Sequence, residues 1–129
     1  FKSRFPCGSD LDTWKSTGVQ LVTNGRTKQQ MPHYYQFYEN FLANESRLNI
    51  QAAARRLRLP YLIIHGDSDT SVDLNEALML HKWHPESQLI VLEGADHVFG
   101  SGHPWTFLDL PPSLQQGHSK ITRFINNLH

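Results

Sequence analysis

Two short segments carry residue types that do acid–base chemistry. One reads His65-Gly66-Asp67-Ser68-Asp69-Thr70-Ser71-Val72, the other Glu93-Gly94-Ala95-Asp96-His97-Val98-Phe99. Each follows an apolar run, Tyr61-Leu62-Ile63-Ile64 in the first case and Leu89-Ile90-Val91-Leu92 in the second. The first segment offers carboxylates and the second an imidazole. A carboxylate that accepts the Nδ1–H of a histidine fixes its tautomer. It also stabilises the imidazolium formed when Nε2 takes a proton from a nucleophile. Asp69 and His97 are therefore the candidate catalytic residues, the acid and base of a hydrolytic triad.

Each residue also has a plainer explanation. Asp69 could be a turn aspartate bonded to its own backbone, and Asp67 reads as one. His97 could be a satisfied structural histidine, and His65, at the end of an apolar run, reads as structural. His81 and His84 are three apart, with Lys82 and Trp83 between them and no matching carboxylate. They read as a solvated helix face. Asp96, His97 and His103 lack a recognised zinc spacing. Cys7 sits between Pro6 and Gly8 with no histidine nearby in sequence, so nothing activates its thiol. No metal and no cofactor are expected.

The elements that must position Asp69 and His97 follow from the patterning. Short continuous apolar runs predict strands over 61–65 and 88–92, buried on both faces and hence parallel. Leu74, Ala77, Leu78 and His81 share one face of a helix predicted over 73–83. Strand, helix and strand make a βαβ unit. In a parallel sheet, ligands and catalytic groups gather past the carboxyl ends of the strands. Neighbouring strands would thus bring Asp69 and His97 within side-chain reach. Residues 93–110 read as a long loop, and such loops are often functional. Pro111-Pro112 opens a final helix with a stripe of Leu114, His118, Ile121, Ile125 and Leu128.

Before Pro60 the chain reads as mainly helical. Residues 9–16 suit a short helix. Val19–Thr23 runs into Asn24-Gly25, a strong hairpin signal because both residues tolerate positive φ. The return arm Arg26–Gln30 is wholly polar, so the segment is a small exposed hairpin or simply a turn. Tyr34, Phe37, Tyr38, Phe41 and Leu42 fall on one stripe of a helix predicted over 33–43. That stripe packs on a core or lines a substrate cavity. Asn49 can cap a helix bearing Ile50, Ala53, Ala54 and Leu57, which Pro60 ends. The organisation expected is a mainly helical segment over 1–59 and a βαβα part over 60–129, an α/β fold class.

Composition narrows the function. The 129 residues allow one domain or part of one. Twelve Lys and Arg balance 12 Asp and Glu, with no basic block, which excludes an electrostatic footprint for nucleic acid. The apolar runs are far shorter than the roughly 20 residues of a membrane span. A single cysteine offers no internal disulfide, and no signal peptide follows Phe1, so a cytoplasmic protein is expected.

With these residues in place, the stretch from Leu59 to His129 resembles the C-terminal part of an α/β-hydrolase of the dienelactone hydrolase and prolyl oligopeptidase-like branch. In that family the acid follows the seventh strand in G-x-x-D-x-x-V, which Gly66, Asp69 and Val72 match. The histidine follows the eighth strand in G-x-x-H, which Gly94 and His97 match, with Phe99 after it. The order, acid and then histidine with one helix between, also fits. Asn24-Gly25-Arg26-Thr27 and the helices after it resemble, more loosely, the region leading into the seventh strand. The resemblance implies a serine hydrolase of ester, thioester or amide bonds with a small-molecule acyl substrate, its acid Asp69 and its histidine His97. The sequence departs from the family in one large respect. No serine stands in G-x-S-x-G, since Ser101 lies directly between Gly100 and Gly102, and no oxyanion-hole segment is found. The expectation is therefore a C-terminal portion whose nucleophile (Ser, or else Asp or Cys) lies upstream of Phe1. Phe99, Trp105 and Phe107 would help to shape the acyl pocket. The alternative is a non-catalytic piece that associates with itself, most simply as a dimer.

Overall fold

The structure, a computed structural model, describes residues 5–25 and 27–128. The chain divides into two compact units, with the boundary between Asn49 and Ile50. Mixed helices and strands make it broadly α/β, with one antiparallel and one parallel strand pair.

In the first unit, helix α1 (Ser9–Thr17) is closed by Gly18 in the left-handed region, where Cβ would be a penalty. Strands β1 (Val19–Thr23) and β2 (Gln30–Tyr34) pair antiparallel, with Val19 opposite Tyr34 and Thr23 opposite Gln30. Helix α2 (Gln36–Ala43) follows. Two bounds in this part of the chain differ from the expectation. The return arm is Gln30–Tyr34, not Arg26–Gln30, and Arg26 lies outside the described residues. The helix predicted over 33–43 starts only at Gln36, because His33 and Tyr34 are taken by the strand. The organiser is Trp14. Its ring is 1% exposed, its Nε1–H donates to the His33 carbonyl at 2.8 Å, and Tyr35 meets it edge-on at 5.5 Å. A buried indole must place its N–H on an acceptor, and the carbonyl it takes belongs to β2. Of the aromatic stripe, Phe41 is buried while Phe37 and Tyr34 are largely exposed.

In the second unit, helix α3 (Ile50–Arg56) precedes strand β3 (Leu62–Gly66), helix α4 (Leu74–Trp83), strand β4 (Gln88–Leu92) and helix α5 (Pro112–Asn126). The first strand sits one residue later than expected. β3 and β4 pair parallel with Leu62 opposite Gln88 and Gly66 opposite Leu92. α4 starts where Asp73 caps it, its carboxylate accepting the Asn75 N–H at 2.8 Å. α4 and α5 each pack on both strands, and α3 packs on α4. Ile63, Ala77 and Leu92 form the core. Side chains alternate across a strand, so Ile64, which lines an apolar recess with α5, points away from the face of Ile63. Burial on both faces of both strands does not hold throughout, since Val91 remains 42% exposed. Among the described residues β3 pairs only with β4, and each strand keeps one unpaired edge.

One contact decides how closely the strand ends approach. A Cβ at Gly66 would overlap the Ala95 carbonyl, which is backbone and cannot swing away. Gly66→Ala is expected to destabilise the chain by about 1–3 kcal/mol. Gly102→Ala, where nothing lies within 4 Å of the added atom, should stay within about 0.5 kcal/mol. Urea denaturation of both variants checks this.

Candidate functional site

The two strand-end loops leave the same end of the β3–β4 pair. Between them the Asp67 N–H donates to the Leu92 carbonyl at 3.2 Å and the Ser68 N–H to the Ala95 carbonyl at 3.0 Å. These bonds lock the turn after β3 onto the turn after β4. Within the first turn, the two carboxylate oxygens of Asp69 divide the work. Oδ1 accepts the N–H groups of Ser71 at 2.8 Å and Val72 at 2.9 Å. Oδ2 faces Nδ1 of His97 at 2.9 Å. Turn aspartate and histidine partner are therefore not alternatives, because one residue does both. A carboxylate can only accept, so the proton lies on His97 Nδ1, and in the neutral ring Nε2 carries the lone pair. The His97 side chain is 55% exposed while that of Asp69 is 6% exposed. Among the described residues no further hydrogen bond engages the ring. The result is a half-exposed imidazole oriented through Nδ1, with no hydrogen bond to its Nε2 among the described residues.

Electrostatics fit the same arrangement. Burial of the Asp69 carboxyl opposes its ionised form. The hydrogen bonds from Val72, His97 and Ser71, and the charge of a protonated His97, outweigh that effect. They pull its pKa from 3.8 to about 2. Asp69 is thus a fixed anion at neutral pH.

His97 is held by its own loop. Asp96 Oδ1 accepts the N–H groups of Val98 at 3.1 Å and Gly100 at 2.8 Å. Gly94 and Gly100 adopt positive φ, as does Phe99 at 55°. Phe99 joins Ile64, Leu110, Leu114, His118 and Ile121 around an apolar recess of about 360 Å³. Trp105 and Phe107 pack edge-on against each other at 5.2 Å, and Phe107 is 71% exposed.

The remaining sequence candidates fall as follows. His65 lies beside the pair: its Nδ1–H donates to the Gly66 carbonyl at 2.8 Å, and its Nε2 is buried without a hydrogen bond, 3.8 Å from Asp69 Oδ2. His81 and His84 do not form a solvated face. α4 ends at Trp83, so His84 leaves the helical wheel and turns inward beneath Tyr61, at 7% exposure. His81 pairs with the Ser87 hydroxyl at 2.8 Å. The Ser101 hydroxyl donates to the Val98 carbonyl within the His97 loop. Cys7 is an exposed thiol of the first unit. No three His, Cys, Asp or Glu side chains among the described residues gather as a metal site. No helix among them is long and apolar enough to cross a membrane. Sequence reasoning missed the structural work of Asp67 and Asp96. Aspartates at a turn signal local capping, but only the fold shows which amides they reach.

No protein-family model matches this chain, and no curated protein matches it.

The Asp69 shift sets a pH dependence. Its pKa is lower folded than unfolded, so in acid the unfolded chain binds more protons and stability falls. The Asp69 contribution is complete above about 4 and is lost as the pH drops towards about 2. Asp69→Asn should flatten that acid limb. Urea midpoints of wild type and variant across pH 2 to 5 test it.

Proposed function

We propose that this chain supplies the acid and base of a Ser-His-Asp triad in an α/β-hydrolase acting on ester, thioester or amide bonds. Its serine would come from a segment of the same fold outside these 129 residues. The observation that carries the reading is the 2.9 Å bond from His97 Nδ1 to a carboxylate that is already tied down by its own turn. In the proposed reaction Nε2 takes the proton of the serine hydroxyl as Oγ attacks the acyl carbon. The charge on the imidazolium is balanced by Asp69, which stays ionised. Nε2 then protonates the leaving group, and a water repeats the cycle on the acyl-enzyme. The matching motifs G-x-x-D-x-x-V and G-x-x-H, placed after two parallel strands, support assignment to the dienelactone hydrolase-like branch. Phe99 and the recess beside it would contribute to the acyl-binding wall. A cytoplasmic location belongs to this reading.

The test has two arms. The 129 residues alone should hydrolyse p-nitrophenyl acetate no faster than free imidazole, since oxyanion donors alone contribute about a hundredfold or more. In a longer protein carrying this segment with a G-x-S-x-G strand, a fluorophosphonate should label that serine. There Asp69→Asn should lower kcat by roughly 10⁴-fold, and His97→Ala should abolish turnover with the fold intact. Robust turnover by the 129 residues that disappears in Ser101→Ala would overturn the proposal.

A second reading, a self-associating unit without activity of its own, draws on the sheet. β3 and β4 each have a free edge among the described residues, and unpaired edges template further pairing. Two strands are also near the lower limit of independent stability. The isolated chain should therefore sediment as a dimer or larger species at tens of micromolar. A clean monomer that unfolds cooperatively would rule this out.

A further inference from the structure

Asp67 stands two residues before the acid, on the exposed side of the same turn. Its Oδ1 accepts the Ser68 hydroxyl at 3.1 Å, the local bond that a turn aspartate makes. The same oxygen also accepts the N–H of Gly94 at 2.7 Å, 27 residues away in sequence. That is a short, charge-assisted bond of the stronger kind. Gly94 has a φ of 67° and opens the turn from which His97 projects three residues later. Asp67 is the side chain that ties the acid's loop to the histidine's loop at this point, beside the backbone bond from Ser68 to Ala95.

We propose that Asp67 is a positioning residue. By holding the Gly94 N–H it sets the separation of the two strand-end loops, and thereby the Asp69–His97 hydrogen bond. The inference rests on the triad reading above for its functional meaning. Its geometry stands on the clasp itself. The Asp67 side chain meets solvent, so removing it opens no cavity, and a change at the pair would come through the loops.

The experiment compares Asp67→Asn, which removes the charge but keeps an acceptor oxygen, with Asp67→Ala, which removes both. Two readouts are taken by NMR on the full chain. The first is hydrogen exchange at the Gly94 amide. The second is the ionisation of the Asp69 carboxyl at about pH 3, where a group with a pKa of about 2 is mostly ionised and one at 3.8 mostly protonated. In Asp67→Ala the Gly94 amide should exchange about tenfold faster or more, and Asp69 should become more protonated at that pH. Asp67→Asn, with a neutral acceptor, should expose Gly94 to exchange less than Asp67→Ala does and leave Asp69 as ionised as in wild type. Should Asp67→Ala fail to fold, Asp67→Glu takes its place, because the extra methylene displaces the acceptor while keeping the charge. Equal Asp69 ionisation in the Asn variant and the disrupted variant overturns the positioning role, whatever Gly94 does. His97→Ala separates the two ideas. If it leaves Asp69 as ionised as in wild type, the Asp69–His97 pairing itself fails, and the role of Asp67 falls with it. If it raises Asp69 protonation while Asp67→Ala does not, only the clasp is overturned.

Discussion

The parallel register that sets Gly66 opposite Leu92 is the constraint on which the site depends. Both strands then end at the same level, and the two loops emerge side by side. A slip of one residue would send each side chain to the other face. The loops could not close on each other if residue 66 carried a Cβ, because the Ala95 carbonyl occupies that space. Glycine thus acts here by its absent side chain, with no need of a special φ. Once the backbones touch, the bonds from Asp67 N to Leu92 O and from Ser68 N to Ala95 O follow, and the 2.9 Å pair is brought within reach.

The second consequence is electrostatic. A carboxylate paired with a histidine could in principle share or take the proton. Asp69 is held against that by three hydrogen bonds, two from backbone N–H groups and one from the ring. With its pKa at about 2, accepting a proton near neutral pH is strongly disfavoured. Asp69 therefore orients His97 and balances its charge without becoming an acid itself. Two of its bonds come from the turn it caps, and the bond and charge of His97 lower its pKa further. His65 flanks the same oxygen with its Nδ1–H committed to the Gly66 carbonyl, which leaves the acid to His97.

Much of this was legible in the sequence where one residue type answers one local demand. The apolar runs placed β3 and β4 to within a residue, the spacing of Leu74, Ala77, Leu78 and His81 placed α4, and Pro111-Pro112 marked the start of α5. Asp69 and His97 stood out because strand ends concentrate chemistry. The failures share a different cause. Tyr34 begins a helical stripe pattern, yet its pairing with Val19 places it in β2, and the carbonyl of His33 beside it accepts the Trp14 indole N–H. His84 sits at a helical spacing from His81, but the helix stops one residue earlier. Asp67 looked like any turn aspartate, because a bond spanning 27 residues leaves no mark in local pattern. In each case a long-range partner overrode a local preference.

The arrangement also separates two tasks that hydrolysis combines. Orienting the base needs only neighbouring strand ends, and a pair of strands with α4 and α5 supplies them. Presenting a nucleophile and stabilising an oxyanion need further donors aimed at the reacting carbon. The surfaces left open match that division. The His97 side chain is about half exposed, Val91 stays partly exposed, and the recess beside Phe99 is lined almost wholly by apolar groups. The imidazole is thus oriented by the fold alone. The bonds from Asp67 N to Leu92 O and from Ser68 N to Ala95 O join the two loops, so under the proposed triad a serine would meet an imidazole already fixed in tautomer and direction.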